Sequence, residues 1–136
     1  MTPDRPALYT LRVRREFLAV AKGDKQVRHG LILQARQRDL NPTTNLDAVS
    51  DPASDPFTAI RFGLTATKKI GNAVLRNRTR RRLRVLAHEI LSAHGQPGYD
   101  YVLIGRAATK HRTWDGLRTD LRSALKKLHK TGNTEE

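Results

Sequence analysis

The sequence predicts an α+β fold in which a small sheet packs with helices, and three observations predict it. From Ala59 to Thr67, apolar Ile60, Phe62, Leu64 and Ala66 alternate with Arg61, Gly63, Thr65 and Thr67, the period of a half-buried strand. From about Asn72 to His94 the period turns helical: at roughly 100° per residue, Leu75, Thr79, Leu83, Leu86 and Ile90 fall in one arc. Tyr101 to Ile104 is then a short continuous apolar run, which fits a buried strand.

Taken in order, residues 1–10 carry Pro3 and Pro6 without periodicity and read as a flexible lead-in. Arg12 to Ala21 reads as a short helix, basic at Arg12, Arg14 and Arg15 and apolar at Phe17, Leu18, Val20 and Ala21, with Gly23 as its stop. Val27 to Arg38 is strand-like, although Ile32 interrupts the polar face; a further short strand before residue 30 is possible in this pattern. Residues 39–57 hold Pro42, Pro52, Pro56 and four Asp without periodicity, and read as a mobile surface loop rather than a carboxylate metal site at Asp47, Asp51 and Asp55. Gly95, Pro97 and Gly98 end the long helix. Residues 106–112 read as a loop and Thr113 as an N-cap. Trp114, Leu117, Leu121, Leu125 and Leu128 make the packing stripe of a last helix, and residues 131–136 read as a tail. The whole reads as a single domain, 1–136.

Charge supplies the functional signal. Of a formal net charge of +13, the 17 residues from Lys68 to Arg84 carry +8, as two Lys and six Arg with no acid. On the helix, Arg76, Arg80 and Arg84 form a ridge on one shoulder of the apolar stripe. Arg78 and Arg82 lie on the other, and Asn77, Arg81 and His88 opposite the core. Solvated helix faces usually interleave Glu with Lys at i,i+4. Arg at 76, 80 and 84 repels its own neighbours instead, and points to an external anion whose phosphates suit the guanidinium fork.

Lys68-Lys69-x-Gly71-Asn72-Ala73-Val74-x-Arg76-Asn77-Arg78-x-Arg80-Arg81-x-x-Arg84 closely resembles the signature of the bacterial ribonuclease P protein family, with Arg-Asn-Arg at its centre. The resemblance implies a mostly antiparallel sheet with a left-handed βαβ crossover. It implies a subunit that binds a catalytic RNA and the 5′ leader of precursor tRNA, and supports hydrolysis of one phosphodiester bond to remove that leader. The catalytic centre and its Mg²⁺ would belong to the RNA. By matching positions, Arg76, Asn77, Arg78, Arg80, Arg81 and Arg84 would be RNA contacts, flanked by Lys68 and Lys69. Phe17, with the outer strand face at Arg61, Thr65 and Thr67, would form the leader cleft. Read from the residues alone, Phe17 is equally an ordinary core residue. Ala21 stands where the family often has a second aromatic.

Other chemistries find little support. There is no cysteine, so neither disulfide nor thiolate site exists. No apolar run approaches the roughly 20 residues of a membrane span, and Met1 to Arg5 is not an apolar signal segment, so a cytoplasmic protein is expected. His88-Glu89 lacks the spacing of a zinc-protease motif, and His88 reads as solvated or RNA-facing. No obligate protein partner is evident. The rival readings are a ribosomal or general RNA-binding protein without a role in cleavage, and a self-sufficient metal nuclease, which would need clustered acids or histidines.

Overall fold

One sheet contains β1 (Leu8–Thr10), β2 (Asp24–Val27), β3 (Leu31–Gln37), β4 (Ile60–Ala66) and β5 (Tyr99–Gly105). Around it lie α1 (Arg14–Ala21), α2 (Ala73–His94) and α3 (Trp114–Gly132), with 3₁₀ turns at Lys68–Ile70 and Ala107–Lys110. The computed structural model describes residues 8–11, 13–37, 60–96 and 98–132, so the expected loop over 39–57 lies outside the described residues. The spatial strand order is β1-β4-β5-β3-β2. β4 and β5 are parallel neighbours joined through α2, and β1 runs parallel to β4. β3 is antiparallel to β5 and β2 antiparallel to β3, so the sheet is mixed.

Both faces of the sheet are covered, and this explains the continuous apolar run in β5. Leu31, Leu33, Ala35, Ile60, Phe62, Tyr101 and Leu103 face α2 and α3 and share one core with Leu83, Leu86, Ile90, Leu117 and Leu121. On the opposite face, Val102 packs with Leu11 and Val20, and with Phe17 and Ile104. Ile32 pairs with Ile104 across β3 and β5 on this second face, where the residue that interrupts the alternation is half-buried.

Several elements differ from the sequence expectation. The lead-in over 1–10 contains β1, whose three residues add an edge beside β4; so short a strand leaves no periodic trace. α1 begins at Arg14 rather than Arg12, because Val13 is extended and its N–H is capped by Glu16 Oε1 at 3.2 Å. The strand expected within 27–38 is β3, and the further short strand possible before residue 30 is β2, paired with it as a hairpin. Its turn is pinned by Gly30 N–H donating to Asp120 Oδ2 at 3.0 Å, and by Thr109 Oγ1 donating to the Gly30 carbonyl. The loop over 106–112 contains a 3₁₀ turn, and the tail over 131–136 begins later, because α3 runs to Gly132. Thr113 does cap α3, accepting from Gly116 N–H at 3.0 Å. On α2, Thr79, Leu83, Leu86 and Ile90 are buried as expected and Leu75 half-buried. His88 is exposed but not opposite the core: its ring meets Phe62 edge-on with centroids 5.4 Å apart.

A polar knot closes one end of the molecule. The Tyr101 hydroxyl accepts from Gln96 N–H at 3.0 Å and shares a hydrogen bond of 2.8 Å with His129 Nε2. Tyr99 packs edge-on against the same imidazole. Burial pushes the Tyr101 hydroxyl pKa up and pulls that of His129 down, so the neutral pair is the folded form.

Leu83→Ala removes a fully buried side chain and should cost about 2–5 kcal/mol in urea unfolding. The His129 shift sets a sign for pH. A depressed folded pKa means that the unfolded chain takes the proton first. Stability should therefore fall as pH drops below about 6.5, the ordinary histidine value, and level off once the folded pKa is passed. Melting temperatures from pH 8 to pH 5 should show this loss, and His129→Gln should remove that part of it; an unchanged pH profile in the variant would count against the assignment.

Candidate nucleic-acid interface

The strand-to-helix junction is built by β4, its 3₁₀ turn and the start of α2. Lys68 and Lys69 sit exposed on the turn. Gly71 follows with φ 144, a conformation that glycine adopts without a Cβ penalty; a Cβ there would also press on Leu75. Asn72 caps α2, its Oδ1 accepting from Leu75 N–H at 3.0 Å. Arg76 folds back to donate to the Gly71 carbonyl at 3.0 Å, and Arg80 donates to Asn77 Oδ1 at 2.9 Å. Arg78, Arg81 and Arg84 are exposed. None of Arg76, Arg78, Arg80, Arg81 and Arg84 has a carboxylate within ion-pair distance among the described residues. Cations near a helix N-terminus also oppose the macrodipole. The arrangement is unfavourable in isolation and becomes favourable with a polyanion against it.

Arg82, in the same run, does something else. Its guanidinium donates to the Thr109 carbonyl at 2.6 Å and the Arg112 carbonyl at 2.7 Å, and lies 5.1 Å from the Trp114 ring centroid. It fastens the connection between β5 and α3 to the side of α2. Trp114 is exposed and lies outside the core that the rest of its stripe joins; its ring is shared by Arg82 and, at 5.8 Å, Arg118.

On the other shoulder of α2 is a groove. Phe17, Thr10, Leu11, Gly63, Leu64, Arg80 and Arg84 line a space of about 150 Å³ where β1 ends and β4 continues. Phe17 rests directly on Gly63: a Cβ at 63 would collide with its ring. The expected companions of Phe17 are placed differently. Arg61 is 14% exposed and forks onto Asp100, Nε to Oδ1 at 2.8 Å and Nη2 to Oδ2 at 2.7 Å, while Nη1 reaches Glu16 at 3.0 Å. Burial lowers the Arg61 pKa, but the bonds and charge of Asp100, then Glu16, outweigh it and the net shift is upward. Thr65 is half-buried on the α1 side of β4, and Thr67 is exposed before the 3₁₀ turn; neither lines the groove. Sequence reasoning missed Gly63 and Leu11 as parts of the groove. Gly63 had a usable signal, a glycine inside a strand pattern, which marks close approach of another group. Among the described residues no three of His, Cys, Asp and Glu gather as metal ligands; Asp47, Asp51 and Asp55 lie outside the described residues.

Fold and surface together define a basic α+β protein with an arginine-rich face suited to a polyanion. A family model described as Ribonuclease P matches residues 6–129. The chain is 45% identical over 120 residues to a ribonuclease P protein component of Ruegeria pomeroyi, covering 88% of this chain and 85% of that one. It is 46% identical over 120 residues to that of Gluconacetobacter diazotrophicus, covering 88% and 90%. The solved ribonuclease P protein of Thermotoga maritima superimposes with a TM-score of 0.63 at 21% identity, covering 87% of this chain and 96% of that one; this likeness shows the fold. The chain belongs to the ribonuclease P protein family. It is therefore a subunit of an endoribonuclease of tRNA processing and associates with the ribonuclease P RNA, and the general RNA-binding reading is not favoured.

Arg61→Ala leaves Asp100 buried beside a lost partner and should cost about 3–5 kcal/mol in urea unfolding. Exposed Arg81→Ala should change stability by less than about 0.5 kcal/mol. Equal midpoints for the two variants would show that the fork is not structural. Gly63→Ala should displace Phe17, seen as a shift of its ring resonances, and cost about 1–3 kcal/mol through overpacking.

Proposed function

We propose that this chain, acting as one RNA-binding domain in the cytoplasm, holds the catalytic RNA and the 5′ leader of precursor tRNA on adjoining surfaces of α2, and so supports removal of the leader. The observation that carries this reading is the shared groove: an aromatic ring and two arginines of the motif line one channel. A single-stranded leader needs that combination. Its bases stack on an aromatic face, worth about 1–3 kcal/mol per base, while its phosphates meet cations. Arg80 and Arg84 then turn toward the leader with Phe17. Lys68, Lys69, Arg78 and Arg81 serve the catalytic RNA, and Arg76 and Asn77 hold the start of α2 and the Arg80 side chain beside it. Thr65 and Thr67 border the leader's onward path, and Arg61 supports the cleft wall from within. When Mg²⁺ is bound, mainly by the RNA, it supplies the activated water and stabilises the leaving oxygen. The protein's residues neutralise phosphates, stack a base and fix register.

The test is a reconstitution with a bacterial catalytic RNA, measuring cleavage and the binding of precursor and mature tRNA across salt concentrations. If four to seven cations touch phosphates, the log–log salt slope should be about −3 to −6. Arg81→Ala should make catalytic-RNA binding shallower by about one unit. Phe17→Ala should cost about 1–3 kcal/mol for precursor only, with slope unchanged, since stacking releases few counterions. An equal loss for precursor and mature tRNA would return Phe17 to a plain core role.

A further inference from the structure

On the shoulder of α2 opposite the groove, a second cavity of about 410 Å³ is lined by Leu75, Arg78, Thr79, Arg82, Lys110 and His111. Its size falls within the range of ligand sites, about 300–1,000 Å³. Lys110 and His111 come from the 3₁₀ turn after β5 and the residue that follows it, outside the arginine motif. They are held on a rigid support. Thr109 Oγ1 accepts from Arg106 N–H at 2.8 Å and donates to the Gly30 carbonyl, and Arg82 clamps the carbonyls of Thr109 and Arg112. Arg112 is itself engaged by Asp120 at 3.0 Å. Arg82 and Arg112 therefore shape the cavity, while Arg78, Lys110 and His111 bring N–H donors to it. Lys110 Nζ has one long contact, 3.5 Å to the Ile70 carbonyl. No carboxylate lines the cavity.

A second observation concerns Thr79, which also lines the cavity. It is fully buried, and its Oγ1 is the one buried side-chain polar atom without a hydrogen-bond partner among the described residues. Buried hydroxyls are nearly always paired, so this orphan in the cavity wall is open to an acceptor that a ligand brings once the wall yields to it. A phosphate oxygen is such an acceptor, and the donor set of one guanidinium, one ammonium and one imidazole is that of a phosphate site.

We propose that this cavity receives a backbone phosphate of the catalytic RNA, with Lys110 and His111 as ligands beside Arg78 and Thr79. The proposal rests on the reading above and extends it: α2 would be gripped by catalytic RNA on this shoulder while the leader lies on the other.

The test uses full-length Lys110→Gln, which keeps a donor for the Ile70 carbonyl, alone and with His111→Ala. Both should melt within a few degrees of the wild type. The double variant should bind catalytic RNA about tenfold more weakly, the loss of roughly one charge-assisted contact. Its salt slope should be shallower by about one unit, and the reconstituted complex should keep its preference for precursor over mature tRNA. Titration of the free protein with inorganic phosphate should shift the His111 ring resonances, and shift them less in Lys110→Gln. Wild-type affinity and slope in the double variant would overturn the proposal, as would a loss confined to precursor tRNA or a His111 ring indifferent to phosphate. Arg81→Ala separates the two levels. If it still weakens catalytic-RNA binding while the double variant does not, only the cavity is wrong; if neither does and no processing is reconstituted, the wider reading fails.

Discussion

The fork of Arg61 onto Asp100 is the contact on which the cleft side of the molecule depends. Register places the two residues opposite each other on parallel β4 and β5, on the sheet face that carries α1. Asp100 is almost fully buried, a position that a carboxylate tolerates only when paired. The fork supplies two parallel N–H bonds, and the remaining nitrogen reaches out to Glu16 on α1. One guanidinium thus fixes two central strands to each other and the helix that carries Phe17 to both. The Phe17 ring and the Arg61 fork sit two residues apart along β4, at Gly63 and at Arg61 itself, so the aromatic wall and its support share one strand face.

Six arginines in nine residues of α2 look interchangeable as text and are not so in space. Angular position decides what each does. Arg82 points at backbone carbonyls and an indole ring, and becomes a fastening between α2 and the β5–α3 connection. Arg76 closes onto the carbonyl before its own helix. Arg80 and Arg84 border the aromatic groove, and Arg78 the opposite cavity. Arg112 and Arg118, elsewhere in the chain, have carboxylate partners, which the exposed motif arginines lack among the described residues. A surplus of unpaired cations on a helix that already presents its positive end is a surface awaiting a polyanion.

Much of this was legible in the sequence. The period of two in β4, the apolar arc of α2, the stop at Gly95 and the stripe of α3 all reflect one-sided burial, which imprints a period on the chain. The motif fixed the position of the charged surface. What was not legible has physical reasons. β1 has three residues, too few to show alternation, and is defined by pairing with a strand some 50 residues away. The hairpin turn of β2 and β3 contains Gly30, a local cue, but it is held by Asp120 and Thr109, about 90 and 80 residues further on, which no local pattern announces. Arg61 looked like an outward cation because alternation gives a side chain's face and not its partner; Asp100 lay in an apolar strand whose neighbour only the sheet order reveals. His88 was placed opposite the core by counting around one helix, whereas the core bends around α2 far enough for Phe62 to meet it.

α2 is also electrically lopsided along its length. Its 22 residues span about 33 Å. All its arginines lie between Arg76 and Arg84, and the remainder to His94 carries only Glu89 and two histidines. The peptide dipoles point the same way, positive toward Asn72. Such a rod experiences a torque in the field of a folded RNA before any contact forms. Encounters would be oriented, basic end first, and collisions with the far end of the helix would gain nothing from long-range attraction. Ionic strength then controls how often the two molecules meet in a usable attitude, as well as how tightly they stay together.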